Sequence, residues 1–152
     1  MPTITVSEQF NCSPEIAFAV LKDFENTPEF IDGIINSTML TEGPIDVGSR
    51  FRETRIMMGR EADEEMEITE LQAPSIIKLY AFSRGTEYHT TYEITRNENG
   101  AKVTLIFQPK PKTLMAKVMS ALFSRMVGQV ADLLQKDLRD AKLEAEKRQE
   151  QA

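Results

Sequence analysis

Apolar and polar residues alternate from about residue 34 to residue 108, and short turn sequences divide this stretch into six runs. A period of two is typical of β-strands that have one buried and one exposed face. The connections between the runs are short, which predicts hairpins and, in the simplest topology, an antiparallel meander. Pro109 and Pro111 are expected to end the sheet. The predicted strands cover approximately residues 35–42, 49–58, 61–71, 76–83, 86–96 and 101–108.

The segment after the meander is predicted to form one long helix, because its apolar residues recur every three or four positions. The helix begins near Thr113, and its apolar stripe is expected to face the concave side of the sheet. Phe123 is expected to pack there as well. About residues 139–152 are mostly charged and are predicted to form a solvated helix end or tail.

The residues before the meander predict one strand and two short helices. Ile4 and Val6 alternate with polar residues and indicate a strand. Ser13-Pro14-Glu15 and Thr27-Pro28-Glu29 each place a capping residue before a proline and an acidic residue, the pattern of a helix N-terminus. A seven-stranded sheet with only one long helix must curve around that helix to bury both apolar faces. We therefore expect a single α+β domain over residues 1–152.

Charge and residue usage argue against several functions. The net charge of −6 disfavours a nucleic-acid-binding protein, which normally carries a basic face. No apolar run reaches the ~18 residues of a membrane span, and the N-terminus lacks a secretory pattern, so we expect a cytoplasmic protein without stable membrane insertion. With one cysteine, Cys12, and one histidine, His89, neither a metal site nor a cofactor is expected. Any chemistry would use carboxylates, Lys, Arg or Tyr.

The order of elements resembles the START-like SRPBCC superfamily, which has the helix-grip fold, and most closely its bacterial polyketide cyclase/dehydrase-like branch. The segments that carry this resemblance are SPEIAFAVLKDFENTPEF, EGPIDVGSRFRETR, EEMEITELQAP, YEITRNENGAKVTL and LQKDLRDAKLEAE. The resemblance covers essentially the whole chain. It implies a hydrophobic cavity between the sheet and the C-terminal helix that binds lipids, polyketides or other apolar ligands. Some members catalyse cyclisation or dehydration, but no common set of catalytic residues exists to carry across.

The candidate ligand-binding residues come from the last helix, the strands and the second short helix. Methionines on the helix would form an adaptable cavity wall, or the stripe is ordinary core. Tyrosine hydroxyls on the strands would be polar points in an apolar space, or they reach the rim and bond to water. The same alternation puts His89 on the outer face. The candidates are Phe30, Ile31, Met66, Tyr88, Tyr92, Leu105, Phe107, Met115, Met119, Leu122 and Met126.

Three charged residues are candidates for catalysis or for holding a polar ligand group. Glu64 shares a strand face with Met66, and a carboxylate inside an apolar cavity would have a raised pKa and could act as a general acid or base. Glu53 and Arg55 share a face of the preceding strand and would suit a buried ion pair or a headgroup clamp. The alternative is a surface ion pair. The alternation does not decide which face of strand 49–58 points inward.

The leading hypothesis is binding of a hydrophobic or amphipathic small molecule by a monomer or weak homodimer. The alternatives are a cyclase- or dehydratase-type enzyme that uses a cavity carboxylate or tyrosine, and a protein–protein interaction module. Basic residues also flank the apolar stripe of the last helix, which would suit a membrane-contacting edge. The net charge and the lack of a dense basic cluster weigh against that edge. These basic residues are Lys110, Lys112, Lys117 and Arg125.

Overall fold

The computed structural model describes residues 3–57 and 59–152, apart from the side chain of Phe123. The expected positions of Met58 and of the Phe123 side chain therefore lie outside the described part. The strands are β1 (Ile4–Phe10), β2 (Ile34–Met39), β3 (Arg50–Met57), β4 (Arg60–Gln72), β5 (Ile76–Ser83), β6 (Thr86–Asn97) and β7 (Gly100–Pro111). The helices are α1 (Pro14–Lys22), α2 (Leu114–Phe123) and α3 (Val127–Gln151), with 3₁₀ helices at Phe24–Glu29 and Ser124–Met126.

The strands form one antiparallel sheet in the order β1-β7-β6-β5-β4-β3-β2. Consecutive strands from β2 to β7 are neighbours, so the predicted meander is confirmed. β1 returns to pair with β7, with Ile4 opposite Phe107. α3 lies across the concave face of this curved sheet, while α1 and the first 3₁₀ helix close one end. The predicted helix-grip architecture is thus the observed one.

Local capping explains where α1 begins, but the second short helix differs from its prediction. The amide of Ile16 donates to Ser13 Oγ at 3.2 Å, which makes Ser13 the predicted N-cap of α1. Thr27 was expected to cap a second helix. Instead, it lies inside the 3₁₀ helix, and its hydroxyl donates to the carbonyl of Phe24 at 3.0 Å. Thr27 is buried there, and Phe30 is the C-cap residue just beyond the helix.

β7 continues through Pro109 and ends at Pro111, so the prediction that these prolines end the sheet holds for Pro111 and is wrong for Pro109. The amide of Lys112 donates towards the β5–β6 turn, to the carbonyl of Gly85 at 2.8 Å. In an antiparallel strand alternate residues direct their amides to opposite sides, so the two prolines face the β1 side. β1 pairs with β7 only as far as Phe107. Within the described residues no strand pairs with this side of β7 beyond Phe107, so the missing proline amides interrupt no described ladder there, as is usual for prolines in a sheet.

The predicted single C-terminal helix is two helices separated by the 3₁₀ turn at Ser124–Met126. The helix begins near Thr113 as predicted, and Thr113 is its N-cap, accepting from the amide of Ala116 at 3.1 Å. Mid-helix 3₁₀ turns mark hinges or local strain. Here the turn separates the apolar stripe into two parts that face different surroundings. α3 buries its part against the sheet, whereas α2 leaves most of its part in solvent.

Residues 139–151 form a helix end, one of the two predicted forms, but this end is packed against the rest of the protein rather than solvated. They continue α3, and Ala141 and Ala145 are completely buried against α1 and the start of the sheet. The carboxylate of Glu146 accepts from the amide of Asn11 at 2.9 Å, and the Gln149 side chain accepts from the amide of Ser13 at 2.9 Å. The charged composition hid this packing because the buried contacts are made by alanines.

The core lies between the sheet, α1 and α3, and includes the fully buried side chains of Phe10, Phe51 and Leu138. Cys12 is also buried, and burial raises the pKa of its thiol to about 11. Among the described helices, none is long and apolar enough to cross a bilayer.

Candidate ligand-binding site

A cavity of about 120 Å³ lies between the concave face of the sheet and α3. Its walls are mainly apolar, and they come from the helices that close the end of the sheet as well as from α3 and several of the strands. The apolar lining residues are Val20, Leu21, Phe24, Phe30, Ile31, Ile34, Met57, Met66, Leu79, Leu105, Phe107, Val130, Leu134, Leu138 and Ala141. The polar ones are Thr27, Glu53, Arg55, Glu64, Thr90, Tyr92 and Asp137.

The closed end of the cavity is held by stacked aromatic rings. Phe24, at the start of the first 3₁₀ helix, stacks on Phe51 of β3 with 4.4 Å between ring centroids. This contact anchors the 3₁₀ helix to the sheet. Phe30 and Ile31 follow that helix directly and reach the cavity, with Phe30 only partly buried. Among the lining residues, these two lie outside the helices and strands.

A three-membered ion-pair cluster forms the polar part of the wall. Arg55 Nε lies 2.9 Å from Glu53 Oε1, on the same strand, and Arg55 Nη2 lies 2.8 Å from Asp137 Oδ2 on α3. All three side chains are at most 14% exposed. β3 therefore turns the face that carries Glu53 and Arg55 inward, which the alternation alone did not decide. The cluster connects the sheet to the helix that it surrounds.

The balance of charge in this cluster is acidic. Burial raises the pKa of Glu53 and of Asp137, although the nearby Arg55 charge opposes both shifts. Burial alone would lower the pKa of Arg55, but its two carboxylate partners outweigh burial and raise it. The guanidinium is therefore always charged, and it faces more carboxylate groups than it can neutralise.

Glu64 adds a third carboxylate beside the cluster. It lies on β4 directly opposite Glu53 and forms no ion pair within the described part of the chain. Burial raises its pKa, and the charge of Glu53 raises it further. Glu64 also lines a smaller adjoining cavity of about 40 Å³, together with Tyr88 and Phe107. Its carboxyl group is thus reachable from both spaces.

The two tyrosines occupy different parts of the site. Tyr92 faces the main cavity, and its pKa is raised by burial and by the nearby charge of Asp137. Tyr88 faces the smaller cavity and stacks on Phe107 with 5.7 Å between centroids. Burial and the charge of Glu64 raise its pKa. Both hydroxyls therefore stay protonated near neutral pH and can donate hydrogen bonds.

The structure brings most of the predicted strand residues and Phe30 with Ile31 into one site. Tyr88 lies in the adjoining smaller cavity rather than the main one. His89 bonds to Glu87 at 3.0 Å, outside both cavities. The predicted residues that line the main cavity are Phe30, Ile31, Glu53, Arg55, Glu64, Met66, Tyr92, Leu105 and Phe107.

The structure contradicts the cavity wall predicted on the last helix. Met115, Met119 and Leu122 belong to α2 and are all more than half exposed. Met126 is half-buried in the 3₁₀ turn and does not line either cavity. The reason is the break at Ser124–Met126. Apolar residues recur at helical spacing on both sides of the break. On α3 they face the sheet, whereas on α2 they face solvent.

Sequence reasoning missed Asp137 and the residues of α3 that form the real helical wall. Val130, Leu134, Leu138 and Ala141 lie on one face of α3, and Asp137 shares that face because it is seven positions from Val130. A lone carboxylate within an apolar helical stripe is the signal that would have identified it. Among the described residues, no group of three or more His, Cys, Asp or Glu is arranged to hold a metal ion.

Comparisons with known proteins agree with this architecture. The family model described as polyketide cyclase / dehydrase and lipid transport matches residues 1–139. A search of curated protein sequences finds no match. TTHA0849 from Thermus thermophilus superposes with a TM-score of 0.75 at 14% sequence identity, covering 95% of this chain and 97% of that chain.

Two further solved structures place the fold among proteins of different origin. The di-domain ARO/CYC StfQ from the steffimycin biosynthetic pathway superposes with a TM-score of 0.77 at 14% identity, covering 96% of this chain and 52% of that chain. Major latex-like protein 151 from Panax ginseng has a TM-score of 0.71 at 11% identity, with 95% and 97% covered. At such identities these likenesses show a common fold.

Proposed function

Because this chain belongs to the polyketide cyclase/dehydrase and lipid transport family, we propose that it binds an amphipathic small molecule between the sheet and α3. The observation that carries the proposal is a mainly apolar cavity with one buried polar cluster in its wall. Ligand sites typically combine an apolar lining with a few convergent polar groups. The apolar wall would supply affinity, and the polar cluster would set the orientation of the ligand.

The size of the cavity limits the ligand. An engineered protein cavity of about 150 Å³ accepts benzene, so the present 120 Å³ suits a group of similar size. A larger ligand requires the wall to move. Phe30 and Ile31 are the suitable moving parts, since they lie on irregular backbone beside the cavity. The smaller cavity next to Glu64 offers further room for an elongated ligand.

The charges in the wall indicate what the polar end of the ligand should be. Three carboxylates, Glu53, Glu64 and Asp137, surround one guanidinium, and two of the three are already bonded to it. A ligand carboxylate or phosphate would meet this excess of like charge. A hydroxyl or an amine would instead donate a hydrogen bond to Glu64. We therefore propose an apolar ligand whose polar end is a hydrogen-bond donor.

The first test is mass spectrometry of the organic extract from natively purified protein, with a denatured aliquot as control. A stoichiometric apolar compound that carries a hydroxyl or amine is the expected result. The second test is a titration with N-phenyl-1-naphthylamine, a neutral aromatic amine that fluoresces in apolar surroundings. This amine is larger than benzene, so saturable binding is expected together with movement of the wall at Phe30 and Ile31. An empty extract together with no fluorescence increase would overturn the proposal.

Two matched variants assign the binding to this cavity. Leu134→Trp enlarges a side chain that lines the cavity, and it should weaken binding of the amine at least about tenfold because the space is filled. Leu143→Trp changes a 66% exposed residue on the same helix and should leave binding unchanged. If Leu134→Trp does not fold, Leu134→Phe makes the same test with a smaller increase in volume. Equal binding by the folded cavity variant and the control would contradict the assignment.

A second candidate function is general-base catalysis by Glu64, of the kind a cyclase or dehydratase needs. The observation that favours it is a carboxyl group with a raised pKa and no ion-pair partner among the described residues, reachable from both cavities. A base of raised pKa transfers protons more effectively near neutral pH. The likeness to the ARO/CYC protein StfQ supports this reading.

Acetylacetone tests this candidate, since its central CH₂ protons exchange with deuterium once a base removes one of them. Under the enzyme hypothesis the protein accelerates this exchange in D₂O, as followed by NMR, and Glu64→Gln abolishes the acceleration while still binding N-phenyl-1-naphthylamine. Acceleration that survives Glu64→Gln would exclude Glu64 as the base, and no acceleration by the wild-type protein would leave binding as the function.

A further inference from the structure

α2 presents an apolar face to solvent. Leu114, Met115, Val118, Met119 and Leu122 are between 53% and 80% exposed, and we refer to these five residues as the α2 face. They lie on one side of the helix, because residues spaced by four positions are neighbours on a helical surface. On the opposite side, Ala116 is buried beneath the helix. A contiguous exposed apolar surface of this kind marks an interaction site.

The charge around the α2 face is opposite in sign to that of the whole chain. All 24 acidic residues lie outside residues 99–131, although the chain carries a net charge of −6. Within that segment Lys110, Lys112, Lys117 and Arg125 are exposed near α2. Lys112 lies 3.9 Å from Glu87, and no described residue pairs with the other three.

The β5–β6 turn adds another cation to the same end of the molecule. Gly85 in this turn has a positive φ of 81° and lies so close to Thr113 that an added Cβ would collide with the threonine side chain. The adjacent Arg84 is exposed. The turn therefore holds a positive charge beside the N-terminus of α2, and the basic residues border the apolar face.

We propose that the α2 face docks the protein peripherally on an anionic membrane surface. Amphipathic helices bind bilayers by burying apolar side chains at the headgroup boundary while nearby cations attract anionic lipids. The acidic remainder of the protein would be repelled by such a surface, which orients the molecule with α2 towards it. A second copy of the chain fits less well, because it would bring two basic borders together.

Docking in this orientation would place the smaller cavity near the membrane. Tyr88, which lines that cavity, lies opposite Pro109 in the sheet, and β7 continues from there directly into α2. The membrane contact is independent of which molecule occupies the cavity, so its test does not require the ligand.

The test is co-sedimentation of the full chain with vesicles of phosphatidylcholine alone or with roughly one-third phosphatidylserine. Binding to the anionic vesicles is expected, with little binding to the neutral ones and a strong decrease at high salt. Met115→Ser/Met119→Ser should weaken binding at least about tenfold, since it removes apolar area from the α2 face. The matched control Leu143→Ser alters an exposed apolar residue on α3 and should bind like wild type.

A second pair of variants tests the electrostatic part. Lys117→Glu should weaken binding to anionic vesicles, whereas Lys147→Glu, an exposed position on α3, should not. Circular dichroism verifies that each variant is folded. If Met115→Ser/Met119→Ser does not fold, the comparison of Lys117→Glu with Lys147→Glu still tests the proposal. The proposal is overturned if the wild-type protein does not co-sediment with anionic vesicles, or if the variants bind them as well as their controls do. A wild-type dimer that Met115→Ser/Met119→Ser dissociates would likewise overturn it in favour of self-association.

Discussion

At the scale of single residues, Arg55 is the group on which the buried polar cluster depends. Its guanidinium is the cation that both Glu53 and Asp137 contact. Removing one partner of a buried ionic group is far more costly than replacing the whole group, because the remaining charges stay desolvated. The cluster therefore contributes to stability only as a complete unit.

We expect Arg55→Met to lower the free energy of unfolding by about 3 kcal/mol, because two carboxylates would stay buried without a cation. Urea denaturation measures the change. Arg52→Met on the same strand removes an exposed ion pair with Glu65 and should cost less than about 1 kcal/mol. Adding Glu53→Gln and Asp137→Asn to Arg55→Met should restore much of the loss. An equal loss of unfolding free energy in Arg55→Met and Arg52→Met would mean that Arg55 is not part of a buried ion-pair cluster in solution.

Glu64 should make stability depend on pH. Burial and the charge of Glu53 raise its pKa in the folded state above the unfolded value of about 4.3. The folded protein thus holds this proton more tightly, so the contribution of Glu64 is full below pH ~4.3 and is lost as the pH rises through the folded-state pKa.

The side chain of Glu64→Gln cannot ionise, so this variant does not lose stability as the pH rises through the pKa of Glu64. The variant should therefore gain stability relative to wild type as the pH rises from about 4.3 towards neutral, and the difference should then become constant. Urea denaturation at a series of pH values measures it, with Glu67→Gln at an exposed position of β4 as the control for charge removal. A difference that shrinks with rising pH would mean that the carboxylate is stabilised, rather than penalised, by its surroundings.

At the scale of elements, the last turns of α3 bind to the C-terminal end of α1 and to the β1–α1 connection. Arg148 pairs with Asp23 at 3.1 Å, and the side chains of Glu146 and Gln149 accept backbone amides of that connection. Truncation after Arg139 should lower the free energy of unfolding by at least about 3 kcal/mol, since it removes these bonds and two buried alanines. Truncation after Gln149 removes only exposed residues and is the control. Equal stability of the two truncated proteins, measured by thermal unfolding, would show that the end of α3 does not pack.

The two C-terminal helices should respond differently to an introduced charge. Met119 on α2 is 53% exposed, so Met119→Glu should change the free energy of unfolding by less than about 0.5 kcal/mol. Leu138 on α3 is fully buried, and Leu138→Glu should cost more than about 4 kcal/mol or prevent folding. Chemical denaturation of the two variants compares the helices directly. Severe destabilisation by Met119→Glu would mean that α2 packs inward in solution.

At the scale of the whole molecule, local stability should follow the sheet. β6 and β7 are paired over their full length, from Thr86 opposite Pro111 to Asn97 opposite Gly100, and both lie inside the sheet. α2 lies outside the core, and its exposed side chains contribute little burial. Amide hydrogen exchange should therefore be slowest in β6 and β7 and fastest in α2. Exchange in α2 as slow as in the central strands would show that the helix is held by contacts absent from this structure.

Much of the architecture follows from local sequence signals. The run predicted at residues 76–83 coincides with β5, Ser13 caps α1 as expected, and α2 begins next to Thr113 as expected. These features depend on side-chain alternation and on bonds between near neighbours in the chain, so the local sequence contains the information. For the same reason, alternation correctly placed Glu64, Met66 and Tyr92 on strand faces that meet at the cavity.

The site itself was decided by contacts between distant parts of the chain. β3 carries charged residues on both faces, so the inward face was determined by the burial of Glu53 and by the ion pair of Arg55 with Asp137 on α3. The prolines of β7 are accommodated because the described part of β1 pairs with β7 only as far as Phe107. The helical period runs unbroken from Met115 to Leu134, and a short 3₁₀ turn nevertheless exposes one half of it. A periodic pattern specifies that a face is apolar, but what covers that face depends on the direction of the element, which tertiary packing sets.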